Sequence, residues 1–210
     1  MKKVWNAEEK LKYERALQAK GVQYIAGVDE VGRGPLAGPV VCASVVMPLD
    51  AERLVVGVDD SKKLSEKKRE KLFDIIKEKA VSWSVGIASP ERIDEINILQ
   101  ATFLAMQRAI DQLEGKAKFA LIDGNRETDF GIPCQTVIKG DGRSANIAAA
   151  SVLAKVTRDL YMEELAEKYP QYGFEIHKGY GTKAHYAALT EHGMCDAHRR
   201  TFLRKFYGEK

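Results

Sequence analysis

Cysteine is scarce in this sequence. Its three residues, Cys42, Cys134 and Cys195, lie far apart and without CxxC spacing. That pattern excludes a disulfide framework and points to a reducing compartment. Long hydrophobic runs are missing as well. The most apolar stretch, Val40 to Leu49, falls well short of the roughly 20 residues a bilayer helix needs, so a membrane span is excluded. Met1-Lys2-Lys3 runs straight into the polar Glu8-Glu9-Lys10 region, which leaves no signal peptide and gives a cytoplasmic expectation. Repeats, low-complexity tracts and Pro/Ser-rich linkers are also lacking. Nor is there an excess of one charge: 33 Lys and Arg face 30 Asp and Glu, a net charge of +3. Read as a total, that balance speaks against a nucleic-acid partner. What is present is a 45% hydrophobic content in 210 residues, enough to exclude disorder and to build one core. A single domain over residues 1–210 is expected, with a helical C-terminal portion from about residue 160.

Hydrophobic patterning predicts an α/β fold with a mixed sheet. Glu8 to Lys20 reads as an exposed amphipathic helix. Tyr24 to Val28 and Pro39 to Met47 read as strands separated by a Gly/Pro-rich turn, and Trp83 to Ala88, Phe119 to Ile122 and Gln135 to Ile138 as three more. Ser65 is placed to cap a charged helix over Glu66 to Lys79, and Ser89-Pro90-Glu91 has the order of a helix start. A helical pattern follows from about Ile98 to Leu113. Ser144 opens a long helix to about Lys168, and its alanines, Ala148 to Ala150, allow close approach to a neighbour. Strands mixed with helices indicate α/β architecture, with a central mixed sheet flanked by helices.

Chemistry concentrates at three strand ends. Gly27-Val28-Asp29-Glu30 runs into a loop containing Gly32, Arg33, Gly34 and Gly38. Taken alone, this segment reads more readily as an ordinary acidic turn after a strand. It has neither the Rossmann spacing nor a Walker A sequence. The pattern recurs at Leu121-Ile122-Asp123-Gly124 and at Ile138-Lys139-Gly140-Asp141. Ligand sites in open α/β sheets lie beyond the carboxyl ends of strands. Asp29, Glu30, Asp123 and Asp141 could therefore meet, and mutual repulsion would call for a cation among them. Oxygen ligands suit Mg²⁺ or Mn²⁺. Neighbouring strand residues face opposite ways, so Asp29 and Glu30 are expected to share a site only if the strand breaks there.

Positive charge is local. Ser61 to Lys71 carries six basic against two acidic residues, and His177 to Lys210 seven against three. The first cluster reads equally as a solvated helix face. In the second, Tyr180, Tyr186, Phe202, Phe206 and Tyr207 interleave with Arg199, Arg200 and Arg204, a pattern suited to phosphates and to stacking. His192, Cys195 and His198 with His185 could be offered as a zinc site, but the spacing matches no standard finger.

The run from Tyr24 through Val40, with Gly27-Val28-Asp29-Glu30-Val31-Gly32-Arg33-Gly34-Pro35 at its centre, closely resembles the opening motif of bacterial ribonuclease HII. The similarity continues through Asp60-Ser61-Lys62-Lys63-Leu64-Ser65, Leu121 to Asn125, Lys139-Gly140-Asp141, Ala148 to Asp159, His177 to Lys183 and His198 to Phe202. It spans nearly the whole chain in order. One departure is Thr201, where serine is the commoner residue of the family. The resemblance implies a ribonuclease H fold and an endonuclease that cleaves RNA in RNA–DNA hybrids. It further implies incision 5′ of single ribonucleotides in duplex DNA and a role in ribonucleotide excision repair. Two divalent ions, Mn²⁺ or Mg²⁺, are implied, held by Asp29, Glu30, Asp123 and Asp141, with 5′-phosphate and 3′-hydroxyl products. By position, Gly32, Arg33 and Gly34 would sense the 2′-hydroxyl, Tyr180 the RNA–DNA junction, Lys62 the scissile phosphate, and Arg199 would bind substrate. The 28 residues before Asp29 disfavour the related ribonuclease HIII, which carries a large N-terminal substrate-binding domain. Two rivals from other classes are a non-catalytic hybrid-binding module and a metal-dependent hydrolase of small nucleotides. A monomer is expected, since no long apolar heptad suggests a coiled-coil dimer.

Overall fold

β-branched and small apolar residues dominate five short runs, and each forms a strand: β1 (Ile25–Val31), β2 (Val40–Val46), β3 (Ser82–Ala88), β4 (Phe119–Asp123) and β5 (Cys134–Val137). In this computed structural model, residues 6–50, 54–58, 61–113, 115–126 and 128–208 are described. Met1 to Lys3, Asp60, Glu209 and Lys210, used in the readings above, lie outside the described residues. The strands form one sheet in the order β3-β2-β1-β4-β5. β1 is antiparallel to β2 and β2 to β3, whereas β1, β4 and β5 run parallel. This is the mixed sheet expected from the sequence.

Helices α1 (Ala7–Lys10), α2 (Lys12–Gln18), α3 (Glu66–Lys79), α4 (Pro90–Asp111) and α5 (Ala145–Lys168) surround the sheet. α4 covers one face, where Ile93, Ala101, Ala105 and Met106 meet Val28, Cys42 and Ile122. α5 and α3 cover the other, where Ala148 to Ala150 and Ile76 meet Ala43 and Val45. Sandwiched between both layers, β2 is buried at every residue. Close approach is essential at Gly27, because a Cβ there would lie 2.1 Å from the backbone of Asn146 at the start of α5. The alanine-rich helix thus seats its first turn directly on β1. Beyond α5, the short helices α6 (Phe174–His177), α7 (Lys183–His192) and α8 (Arg200–Leu203) close over a separate cluster that includes Met162, Tyr172, Phe174 and Leu189.

Two expectations are corrected. The N-terminal helix is not continuous, and one side of it is buried: it breaks at Leu11, which is fully buried, as is Glu14, while Glu8, Glu9, Lys12 and Gln18 stay exposed. The Glu14 carboxylate caps α5, accepting from the Ser144 hydroxyl and from the Asn146 N–H at 3.1 Å, and that anchor overrides amphipathic solvation. Secondly, β1 does not break at Asp29 and Glu30. Both stay paired with β2, opposite Ala43 and Cys42, while the parallel pairing with β4 stops at Val28. Elsewhere the starts and stops follow the capping signals. Ser89 accepts from the Arg92 N–H with Pro90 at the first turn, and Ser144 from the Ile147 N–H at 3.2 Å. Ser65 holds the cap position of α3 but makes no side-chain cap bond. α4 kinks at Asn97, φ 65°, where the sequence pattern itself restarts.

Candidate active site

Because β4 ends one residue after its last pair with β1, Asp29 and Glu30 project past the parallel edge at the carboxyl ends of the central strands. Asp29 shares the face of Gly27, toward α5, and Glu30 the face of Val28, toward α4. They reach one place from opposite faces by wrapping the open end of the sheet. Asp123, the last residue of β4, completes the group. One oxygen from each of Asp29, Glu30 and Asp123 lies within 4.8 Å of the others, the only such His/Cys/Asp/Glu cluster among the described residues.

Electrostatics at this point are unfavourable for the bare protein. Burial, then the charges of Glu30 and Asp123, pushes the Asp29 carboxyl well above the usual range. Burial also raises Glu30, against the lowering effect of Arg33, whose guanidinium is 3.3 Å away. Asp123 is raised by burial and lowered by the backbone N–H groups of Gly140 (2.6 Å) and Asp141 and by the charge of Lys62. Hydrogen bonds orient the group: Asp29 accepts from the Glu30 N–H at 2.7 Å and from Ser151. Three half- to fully buried carboxylates with nothing but oxygen donors fit a hard divalent cation. Asp141 is not brought into this trio. Its carboxylate accepts from the Gly142 N–H at 2.7 Å, in the 3₁₀ turn Gly140–Gly142 that presents the backbone to Asp123.

A cleft of about 510 Å³ opens beside Glu30. Gly32, Arg33, Gly34, Lys62 and Tyr180 line it, together with Ile98 and Phe202. Only glycine suits position 32: its φ is +93° and a Cβ would meet the Arg158 side chain at 2.3 Å. At Gly34 a Cβ would stand 3.7 Å from the Tyr180 ring, so ring and glycine face each other across the cleft. Arg199 is placed differently from the rest. It is fully buried, and its guanidinium donates to the carbonyls of Gly32, Arg33 (3.0 Å) and Gly38 (3.0 Å). Its reach to a substrate is therefore through the loop, because no donor faces the cleft. Arg158 matches it, donating to Pro39, Ala37 and Lys178 carbonyls at 3.0–3.1 Å.

Sequence reasoning missed Ser61, Ser151 and Ile98 as site residues, whereas Phe202, one of the aromatics singled out for stacking, does line the cleft. Ser151 stands between Asp29 and the Ser61 hydroxyl, 2.8 Å away, which ties the Lys62 turn to the carboxylates. A serine directly after the alanine run was the available signal. The His–Cys set is not a metal-ligating group either. His192 leans on Glu191 at 3.8 Å, while His185, His198 and Cys195 are joined to one another by hydrogen bonds.

Comparison with known proteins agrees with this geometry. The ribonuclease HII family model matches residues 26–207. Ribonuclease HII of Dechloromonas aromatica (strain RCB) is 58% identical over 181 residues, 86% of this chain and 91% of that protein. That of Bacillus cereus (strain G9842) is 55% identical over 197 residues, 94% of this chain and 76% of that one. Among solved structures, ribonuclease HII of Archaeoglobus fulgidus, determined in complex with PCNA, has a TM-score of 0.72 at 29% identity, covering 84% of this chain and 94% of that one. Ribonuclease H2 of Pyrococcus horikoshii OT3 has a TM-score of 0.70 at 31% identity, covering 84% and 92%. A strand-end carboxylate trio beside a glycine-walled cleft, on a ribonuclease H-like sheet that matches the family over most of its length, makes this chain a member of the ribonuclease HII family of endonucleases.

Proposed function

We propose that this enzyme cuts RNA within RNA–DNA hybrids and incises duplex DNA 5′ of single embedded ribonucleotides, leaving 5′-phosphate and 3′-hydroxyl ends. The observation that carries the reading is one cleft in which the carboxylates adjoin a glycine wall and an exposed tyrosine. A 2′-hydroxyl is both donor and acceptor, and it alone distinguishes RNA from DNA at one nucleotide. The peptide groups of Gly32, Arg33 and Gly34 can test for it, since no side chain at the two glycines keeps a sugar away. Tyr180, opposite Gly34, stacks on the next sugar, where a second 2′-hydroxyl would be crowded. Lys62, close enough to Asp123 to lower its pKa, offers its ammonium to the scissile phosphate.

Asp29, Glu30 and Asp123 are the residues that hold the divalent cations, with Asp141 as the fourth carboxylate. Two such ions, Mg²⁺ or Mn²⁺, supply Lewis acidity to the phosphate and to the attacking water when bound. The chain from about residue 160 onward serves as the substrate-binding portion, and the enzyme works as a monomer in the cytoplasm, in ribonucleotide excision repair. Three free thiols support that compartment. In an incision assay with Mg²⁺ or Mn²⁺, duplex DNA containing one ribonucleotide should be cut and all-DNA duplex left intact. Equal cutting of both, or cutting that survives chelation, refutes the reading.

A further inference from the structure

Three of the four histidines, His177, His185 and His198, lie together beneath the Tyr180 segment and outside the carboxylate site. Their rings are consecutive neighbours, with centroids 4.5 Å apart for His177 and His185 and 5.2 Å for His185 and His198. His185 is fully buried and His198 is 3% exposed. Phe174 and Tyr172 pack edge-on or tilted against them. The charged neighbour in the chain, Arg199, turns its guanidinium away to the loop carbonyls.

Proton bookkeeping leaves one arrangement. Nδ1 of His185 is 2.9 Å from the Tyr180 carbonyl oxygen, which can only accept, so that nitrogen carries the proton. A neutral ring has one N–H, so Nε2 of His185 accepts. Facing it at 3.0 Å is Nε2 of His198, which must donate. Nδ1 of His198 then accepts, and the Cys195 N–H donates to it at 3.0 Å. The other choice would turn an Nδ1 proton toward the Cys195 carbonyl at 3.3 Å, but two ring lone pairs would then oppose each other at 3.0 Å. His177 follows the same logic: Nε2 donates to the Tyr172 carbonyl at 2.8 Å, and Nδ1 accepts from the Gly179 N–H at 3.2 Å. A second proton on any ring would place donor against donor or strand the Gly179 N–H. Burial favours the same state, lowering His185 and taking His198 down to about 4.

Two of the polar backbone groups held by these rings are the N–H of Gly179 and the carbonyl of Tyr180. They belong to the short link between α6 and α7 that carries the Tyr180 ring, 45% exposed, into the cleft. We infer that the hydrogen-bonded pair His185–His198, with His177 stacked on it, forms a relay that fixes the Gly179–Tyr180 link, and that the three are positioning residues for the Tyr180 ring. This rests on the substrate role proposed for Tyr180. The relay itself is independent of substrate.

Both parts are testable on the full chain. Nitrogen-15 NMR of the histidine side chains should find His185 protonated at Nδ1 and His177 and His198 at Nε2. A proton on His185 Nε2, or on His198 Nδ1 in place of Nε2, overturns the relay. For the positioning role, His185→Ala should lower incision at a single embedded ribonucleotide about tenfold, with a smaller loss on a long hybrid. His185→Asn, which keeps a donor near the Nδ1 position, should recover most of the loss. In a Tyr180→Ala background the His185→Ala change should cost nothing further, because contacting residues in one chain of effects are not additive. An equal loss in both backgrounds and on both substrates overturns the positioning role, leaving general destabilisation. A parent that fails to cut the embedded ribonucleotide overturns the proposed function and not the relay, whose tautomers are read without substrate.

Discussion

Three carboxylates with oxygens within 4.8 Å of one another, largely removed from solvent, are held in a state that repels itself. Neutralising one of them relieves that repulsion and also removes a ligand. Asp29→Asn should therefore melt no lower than the parent in metal-free buffer, fail to gain stability when Mg²⁺ or Mn²⁺ is added, and lose incision by about two orders of magnitude or more. Scanning calorimetry with and without the ion, beside a single-turnover assay, checks all three. The variant should still bind duplex, so a non-catalytic hybrid-binding module would come through this substitution with its function intact. Asp29, Glu30 and Asp123 were legible because each closes an apolar strand run and a glycine follows nearby. Ser151 and Ser61 were not, since a serine gains meaning here only from the 2.8 Å contact between residues 90 positions apart.

At the scale of elements, the loop between β1 and β2 is a glycine- and proline-rich segment whose backbone carbonyls are held by two buried guanidinium groups. Desolvation lowers both, Arg158 to about 10 and Arg199 to about 9, so both stay charged at neutral pH. Their hydrogen bonds go to backbone carbonyls, and the charges of Asp159 near Arg158 and Asp94 near Arg199 add to the compensation. Lysine keeps the charge but cannot span three carbonyls with a planar fork. Arg199→Lys should lower unfolding stability by about 2 kcal/mol, the scale of leaving one or two buried acceptors unpaired. It should also slow incision more than it weakens duplex binding, because the glycine wall loses its shape. Urea unfolding and a comparison of turnover with affinity decide it, and an undisturbed turnover would show that the clamp does not shape the site. In sequence, Arg199 stands in a basic run with Arg200 and Arg204 and reads as phosphate-binding surface. Its burial follows from Gly32–Gly38 folding back over it, together with the bridge between Ala37 and His198. The break at Leu11 has a similar origin, because the value of anchoring Glu14 on α5 is visible only once both helices are placed.

Over the whole molecule, the +3 net charge proves to be a cancellation between an acidic strand-end centre and basic flanks. The flanks are less free than their counts suggest. Arg199 is buried, Arg69 donates to the Ser61 and Leu64 carbonyls, and Lys178 pairs with Glu163 at 2.7 Å. Duplex affinity should still fall by about tenfold or more between 50 and 200 mM salt, as released counterions dictate. A flat salt dependence in a binding titration would instead fit a small-nucleotide substrate. Stability should also depend on pH through His198, whose ring is surrounded by His185, Cys195, Tyr172 and Phe174. Its folded value of about 4 lies below the ordinary 6.5, so between those values the unfolded chain binds more protons and stability falls as pH falls. The loss is at most about 3 kcal/mol. Chemical unfolding at pH 7 and pH 5 should show a smaller decrease in His198→Gln than in the parent. By itself the sequence determined the mixed α/β class, the helix caps at Ser89 and Ser144, and the three carboxylates, because periodicity, capping and strand-end acids are local patterns. Only the tertiary structure decided that Asp29 and Glu30 meet without a strand break, that Arg199 holds a loop from within, and that the histidines pair with one another. Each of those depends on which surfaces are buried against which, and burial is a property of the assembled chain.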